Sequence, residues 1–161
     1  MVQTVASSRF GNISYTEEDV LVFPRGLPAF EDNHSWVLAG EEENAIKWLQ
    51  NVEDSELALP VTTPDAVMSD YNAKIPEDEL DLVGSKDPSD LALLIVVSIP
   101  EAAPWDMTAN LRAPILVNLK SRRAVQVIVL NEEYSIHHVV FPENVRDAMK
   151  TAALAELAGE A

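Results

Sequence analysis

The sequence predicts a mostly β protein: a small antiparallel β-barrel or a strongly curved sheet, with short helical turns and a C-terminal helix. Two observations predict this fold. The chain of 161 residues carries 10 prolines, and their spacing leaves little room for long helices before Pro142. Between the prolines lie short runs rich in Val, Ile, Leu and aromatic residues, a pattern typical of antiparallel sandwiches and barrels.

Eight runs are predicted as strands, the last on weaker alternation, and they cover residues 20–23, 35–38, 45–52, 57–63, 91–99, 115–119, 125–130 and 134–140. The run 91–99 is apolar on both faces, so we expect a central strand that is buried on both sides. The runs 115–119 and 125–130 flank a short polar stretch, which indicates a hairpin with a basic tip at 120–123.

Three segments carry helix signals. Acidic residues after Thr16 indicate a single turn at 16–19, and Pro76 with the acids that follow it predicts a helix that ends at Gly84. Apolar residues at helical spacing predict a C-terminal helix over 143–157 that docks Val145, Met149 and Ala152 on the sheet. We expect residues 1–141 to form one β-barrel-like domain and residues 142–161 to be a C-terminal helical extension of the same domain.

Charge and cysteine content exclude several classes of function. Lys and Arg number 11 and Asp and Glu number 27, so the net charge is −16. Such a charge argues against direct binding of nucleic acid or of an anionic membrane, and it favours a basic partner. Without cysteine, disulfides, thiolate zinc sites and cysteine nucleophiles are excluded. The first residues lack the apolar core of a signal peptide, so we expect a cytoplasmic protein.

No catalytic, cofactor or metal site is predicted. The chain has 3 histidines and no phosphate-binding loop or nucleophile elbow. His137 and His138 are neighbours on a predicted strand and therefore point to opposite faces, which prevents them from chelating one metal together. An enzyme remains an alternative: a small acidic hydrolase that pairs Asp106 with Glu53 or Asp54.

Acidic clusters at 41–43, 53–56 and 77–81 allow two interpretations, a solvated surface or a docking face. Asp106 and Asn110 form a further polar cluster, although both side chains commonly bind backbone groups in turns. Trp48 is expected in the core. The candidate partner-binding residues are Glu53, Asp54, Glu56, Glu77, Asp78, Glu79, Asp106 and Asn110.

Three segments carry long, ordered motifs. FPRGLPAFED at 23–32, WLQNVEDSELA at 48–58 and DMTANLRAPILVN at 106–118 resemble signatures of the flagellar assembly factor family, FliW, and the resemblance extends over about residues 5–141. Ala29 and Ala124 stand where that family commonly has Gly, and Ser55 where it has Pro. If position 29 requires a positive φ, alanine costs about 1 kcal/mol or more there.

The resemblance implies an antiparallel β-barrel-like fold and a cytoplasmic bacterial regulator without catalytic activity or cofactor. It implies two partners: flagellin, and CsrA, a basic RNA-binding repressor of flagellin translation. A protein of this family sequesters CsrA, and flagellin competes for it, which couples flagellin level to flagellin synthesis. A flagellin chaperone without a regulatory arm is the further alternative.

Overall fold

The computed structural model describes residues 2–8, 10–40 and 43–159. Glu41 and Glu42 of the first acidic cluster lie outside the described residues. The strands are β1 (Gln3–Ser7), β2 (Gly11–Tyr15), β3 (Leu21–Val22), β4 (Ser35–Ala39), β5 (Lys47–Asn51), β6 (Ala58–Thr62), β7 (Leu91–Ser98), β8 (Thr108–Ala109), β9 (Ile115–Asn118), β10 (Ala124–Gln126) and β11 (His138–Val139). The α-helices are α1 (Glu77–Val83) and α2 (Glu143–Gly159).

The strands form one large sheet and a separate hairpin. The sheet runs in the order β10-β9-β7-β6-β5-β4-β3, with β8 and β11 attached beside β7, and every pair of these strands is antiparallel. The ladder is open, because its two end strands meet only through an isolated parallel bridge between Val22 and Arg123. The mostly β fold with a C-terminal helix is confirmed, whereas a closed barrel stays a prediction.

Strand β7 occupies the predicted central place. It pairs with β6 on one edge and with β9 and β8 on the other. Leu94 and Val96 pack on a core cluster that includes Trp36, while Ile95 and Val97 belong to a different cluster. Both faces of the strand therefore contact apolar side chains, as its uninterrupted apolar sequence predicts.

The predicted helical segments all form. A 3-10 turn at Glu17–Asp19 has a capping box with Thr16, and α1 ends at Gly84, which adopts the left-handed conformation. Helix α2 lies against the turn Pro104–Asp106. One predicted contact of α2 is wrong: Ala152 is exposed and Ala153 is half-buried instead. The half-buried residues Val145, Met149 and Ala153 are spaced by four, which keeps them on one face of a helix with 3.6 residues per turn.

Three strand predictions differ from the structure. The predicted strand 134–140 is reduced to β11 (His138–Val139), and residues 136 and 137 form a turn before it. The predicted strand 125–130 ends at Gln126. Val127 still donates its N–H to the Pro114 carbonyl at 3.0 Å, but proline has no N–H to return, so the paired ladder stops. The hairpin of β1 and β2 was not predicted, since its short strands are mostly polar and only Val5, Ser7 and Tyr15 are buried.

The predicted place of Trp48 in the core is also wrong. Trp48 is half-buried and meets Phe10 of the N-terminal hairpin edge-on, with 6.3 Å between ring centroids. The tryptophan of the core is Trp36, which is fully buried and contacts Phe23 and Phe30 in the same edge-on manner.

The turn after β3 requires two residues with positive φ. Gly26 has φ 64°, and a Cβ there would lie 2.5 Å from the Glu31 carbonyl oxygen, so no other residue fits without a backbone shift. Ala29 has φ 72°, which confirms the expected strain. Ala124, in contrast, is a fully buried strand residue, and the positive φ of that hairpin belongs to Arg122.

We expect Ala29→Gly to raise the free energy of unfolding by about 0.5–1 kcal/mol. Glycine removes the steric cost of the left-handed conformation, although it also loosens the unfolded chain. Ala124→Gly is the matched control and should lower the free energy of unfolding by about 1 kcal/mol, since it removes a buried methyl group. Urea unfolding measures both. A destabilised Ala29→Gly variant would contradict the strain at this turn.

Candidate functional site

The segment between β5 and β6 presents three carboxylates to solvent. Glu53, Asp54 and Glu56 are all exposed, and we call residues 53–56 the acidic turn. The sequence left open whether this segment is extended, in which case Asp54 and Glu56 would share a face. The chain turns instead, and the Leu57 N–H donates to the Asp54 carbonyl at 3.1 Å.

Asn51 holds the start of the acidic turn. Its side chain is completely buried, and Oδ1 accepts hydrogen bonds from the backbone N–H groups of Glu53 at 2.9 Å and Asp54 at 2.8 Å. Nδ2 donates to the Ser35 carbonyl on β4 at 3.2 Å. Asp54 Oδ1 in turn accepts from the Glu56 N–H at 3.0 Å. The turn is therefore anchored to the sheet before any partner binds.

Gln50 supports the same turn from its other side. It is completely buried, and Nε2 lies 3.1 Å from the Asp54 carbonyl and 3.2 Å from the Leu57 carbonyl. Oε1 accepts from the Ser7 hydroxyl at 2.8 Å, which joins the N-terminal hairpin to the turn. Sequence analysis did not single out Gln50 or Asn51; the signal was two neighbouring amides at the end of an apolar strand, just before the acids.

Two of the three candidate acids of α1, Glu77 and Glu79, already have basic partners. Glu77 accepts a hydrogen bond from Lys86 Nζ at 2.8 Å, and this bond holds the pKa of Glu77 below its usual value. The same contact raises the pKa of Lys86. Glu79 forms an ion pair with Arg25. Asp78 is exposed between them.

Asp106 and Asn110 lie in a third place. Asp106 Oδ1 is 3.6 Å from Arg146 Nη1 on α2. Asn110 Oδ1 accepts the Ala113 N–H at 3.0 Å, which is the turn-forming role its residue type favours.

The eight predicted residues thus fall into three groups. Within the described part of the chain, no hydrogen bond or ion pair joins the acidic turn to the α1 acids or to Asp106. The hydrolase alternative requires Asp106 in one pocket with Glu53 or Asp54. The cleft beside the acidic turn is lined by Ser8, Gln50, Ser55, Glu56 and Ala58 and includes none of these three carboxylates.

The histidines and acids do not gather into a larger cluster. His137 is exposed in the turn before β11, and His138 is half-buried on β11. The prediction that the two histidines are neighbours on one strand is therefore wrong. Among residues 2–8, 10–40 and 43–159, no three His, Cys, Asp or Glu side chains are placed to hold a metal ion. No helix in this part of the chain has the length and apolar character to cross a membrane.

Comparison with known proteins identifies the family of this chain. The sequence model described as FliW protein matches residues 4–140. The chain belongs to the FliW family. A flagellar assembly factor FliW from Caldanaerobacter subterraneus subsp. tengcongensis is 37% identical over 139 residues, which cover 85% of this chain and 92% of that protein. A FliW from Thermotoga maritima is 34% identical over 140 residues, with coverages of 86% and 94%.

A solved FliW structure has the same fold. The crystal structure of the flagellar assembly factor FliW superposes with a TM-score of 0.80 at 30% identity, covering 88% of this chain and 99% of the other. The acidic turn, α1 and Asp106 all lie within the residues that match the FliW family, whereas α2 lies beyond them.

We expect Asn51→Ala to lower the free energy of unfolding by about 2–3 kcal/mol, because the Glu53 and Asp54 N–H groups lose their acceptor. The Ser35 carbonyl loses one of its two donors and keeps the Val52 N–H. The amide signals of Glu53 and Asp54 should shift strongly in NMR spectra. Asn33→Ala is the control, since Asn33 Nδ2 makes only a long 3.5 Å contact with Asn51 Oδ1. Unchanged Glu53 and Asp54 signals in the Asn51→Ala variant would contradict this role.

Proposed function

We propose that this protein is a non-enzymatic cytoplasmic regulator of flagellum assembly that binds and antagonises the repressor CsrA. It also binds flagellin, so that the level of flagellin controls flagellin translation. The observation that carries the proposal is membership of the FliW family over residues 4–140, together with relatives named flagellar assembly factors.

The charge of the chain supports a basic partner. A net charge of −16 produces a field that accelerates the approach of a basic protein and repels RNA. CsrA holds RNA, so its surface must carry the cations that phosphates require. An acidic protein and a basic repressor are thus electrostatic complements.

The acidic turn is the best-supported contact among the eight candidate residues. Its three carboxylates are exposed, and no described basic side chain lies in ion-pair contact with them. Gln50 and Asn51 fix the turn in place, so binding does not have to order it. Glu77 and Glu79 must share or break their ion pairs to contact a partner. These two acids of α1 are therefore weaker candidates for the contact than the acidic turn. Asp106 and Asn110 belong to a separate contact.

The central test measures association of purified CsrA at several salt concentrations. A variant with Glu53→Gln, Asp54→Asn and Glu56→Gln should bind with an on-rate about 3- to 10-fold lower at low salt, because exposed charges act mainly on association. The Asp54→Asn change keeps the side-chain oxygen that accepts the Glu56 N–H. The control variant changes Glu17, Glu18 and Glu132 to Gln, which are exposed acids elsewhere.

The two variants have equal net charge, so they separate local from global effects. Equal on-rates and salt slopes for both would show that the acidic turn is only a solvated surface. Failure of the wild-type protein to bind CsrA at all would overturn the proposal that it regulates this repressor. Binding of flagellin but not of CsrA would favour the alternative function, a flagellin chaperone without a regulatory arm.

Helix α2 generates a further expectation. Val145, Met149 and Ala153 are half-buried, and Arg146 reaches Asp106. Truncation after Phe141 should therefore lower the free energy of unfolding, by about 1–3 kcal/mol for the lost apolar contacts, and preserve binding of CsrA and flagellin. Urea unfolding and equilibrium binding of both partners provide the measurements. A folded truncation that binds neither partner would contradict the dispensable role of α2.

A further inference from the structure

One edge of the large sheet has backbone groups without a partner strand. Strand β10 is an end strand and pairs only with β9 along its length. Asn118 donates to the Arg123 carbonyl at 2.9 Å, Val127 to the Pro114 carbonyl and Val129 to the Arg112 carbonyl, both at 3.0 Å. The odd-numbered residues of 123–129 thus direct their backbone groups toward β9 and toward residues 112–114, which precede β9.

The even-numbered residues therefore face the open edge. Val22 donates its N–H to the Arg122 carbonyl at 2.8 Å, and Leu130 donates to the Lys74 carbonyl at 2.8 Å. Between these two bonds, the N–H and C=O groups of Gln126 and Ile128 have no backbone partner among the described residues. We call residues 124–128 the β10 edge.

The chain leaves this edge open because β3 is too short to cover it. β3 ends at Val22, and the Phe23 carbonyl then accepts the Gly26 N–H at 2.9 Å, which turns the chain away. A cleft of about 360 Å³ lies beside the β10 edge, lined by Arg25, Gly26, Pro28, Glu31, Glu79, Val125, Gln126 and Ile128.

The side chains around this cleft indicate the kind of peptide that could bind there. Ile128 is 68% and Leu130 63% exposed, so apolar surface flanks the free backbone groups. The cleft walls carry two carboxylates, Glu31 and Glu79, and one guanidinium, Arg25. Arg25 pairs with Glu79, so Glu31 provides the excess negative charge. A strand with alternating apolar and basic side chains satisfies the backbone, the apolar surface and the excess negative charge together.

We propose that the β10 edge binds an extended peptide segment of a basic protein partner by adding it as a further strand beside β10. The bound segment exchanges backbone hydrogen bonds with Gln126 and Ile128, in the gap between Val22 and Lys74. A second copy of this chain is a poor occupant, because each copy carries a charge of −16 and like charges repel. This binding mode does not depend on the identity of the partner.

The test uses the synthetic peptide acetyl-KVKVKV-amide and hydrogen exchange followed by NMR on the full chain. At saturating peptide, exchange of the Gln126 and Ile128 amide protons should slow at least tenfold. The Val127 and Val129 amide protons, which are bonded within the protein, should change by less than twofold. Equal protection of odd and even residues, or no protection of Gln126 and Ile128, would overturn the proposal.

Two variants separate backbone pairing from side-chain contact. Ile128→Pro removes the free N–H and should weaken peptide binding at least tenfold, whereas Ile128→Ala keeps the N–H and should weaken it less than Ile128→Pro does. Equal binding by Ile128→Pro and wild type would overturn the proposal.

Modified peptides keep the test decisive if Ile128→Pro does not fold. Two peptides are made, one N-methylated on the odd-numbered residues and the other on the even-numbered residues. Only one of the two should lose binding, since only one set of peptide amides faces β10. Retained binding by both would overturn the proposal, as would binding of the EVEVEV peptide with equal affinity. Protection of Gln126 and Ile128 that rises with protein concentration without peptide would assign the edge to a second copy instead.

Discussion

Strand β7 is the element on which the rest of the sheet depends. It joins β6 through Thr62 and Val61 on one edge, and β9 and β8 on the other. Because its two faces pack into different clusters, β7 must be apolar throughout, and this requirement accounts for its sequence LALLIVVS. Without β7, the strands that carry the acidic turn would meet the strands that carry the β10 edge only through the isolated bridge between Val22 and Arg123.

Buried asparagines form a second constraint. The side-chain amide of a buried asparagine needs hydrogen-bond partners, and nearby backbone N–H and C=O groups can provide them. Asn51 bonds the acidic turn and β4. Asn118 does the same at the next hairpin, accepting from Lys120 and Ser121 while donating to the Val83 carbonyl at the end of α1. Asn131 accepts from Lys74 and donates to Asn72. Asn51 and Asn118 each fix a local turn and tie it to a distant segment, whereas Asn131 joins its own segment to residues 72–74.

These anchors explain how the chain presents a defined surface. The acidic turn joins two inner strands, β5 and β6, whereas the β10 edge lies at one end of the strand order. Each is held by contacts that exist in the unbound chain. Charges in the turn act at long range on the approach of a partner, whereas backbone groups on the edge act only in contact. The two features are therefore suited to different stages or different partners of the same regulator.

The sequence by itself determined the local features. Pro76 and Gly84 bound α1, Thr16 caps its turn, and the alternation of apolar residues places most strands of the large sheet within a few residues. These signals act over three or four positions, so they can be interpreted without knowing the fold. The family motifs also lie within continuous segments, which is why the relationship to FliW could be inferred from them.

Only the tertiary structure decided features that depend on residues far apart in the chain. Pro114 ends the pairing of β10, the N-terminal hairpin leaves Trp48 half-buried, and Arg25 and Lys86 neutralise acids that composition alone treats as free. Asn51 and Gln50 were missed because their importance lies in the carbonyl and N–H groups that they reach after folding. Burial, pairing and electrostatic neutralisation are properties of three-dimensional neighbours, and the linear pattern specifies those neighbours only through the complete sheet.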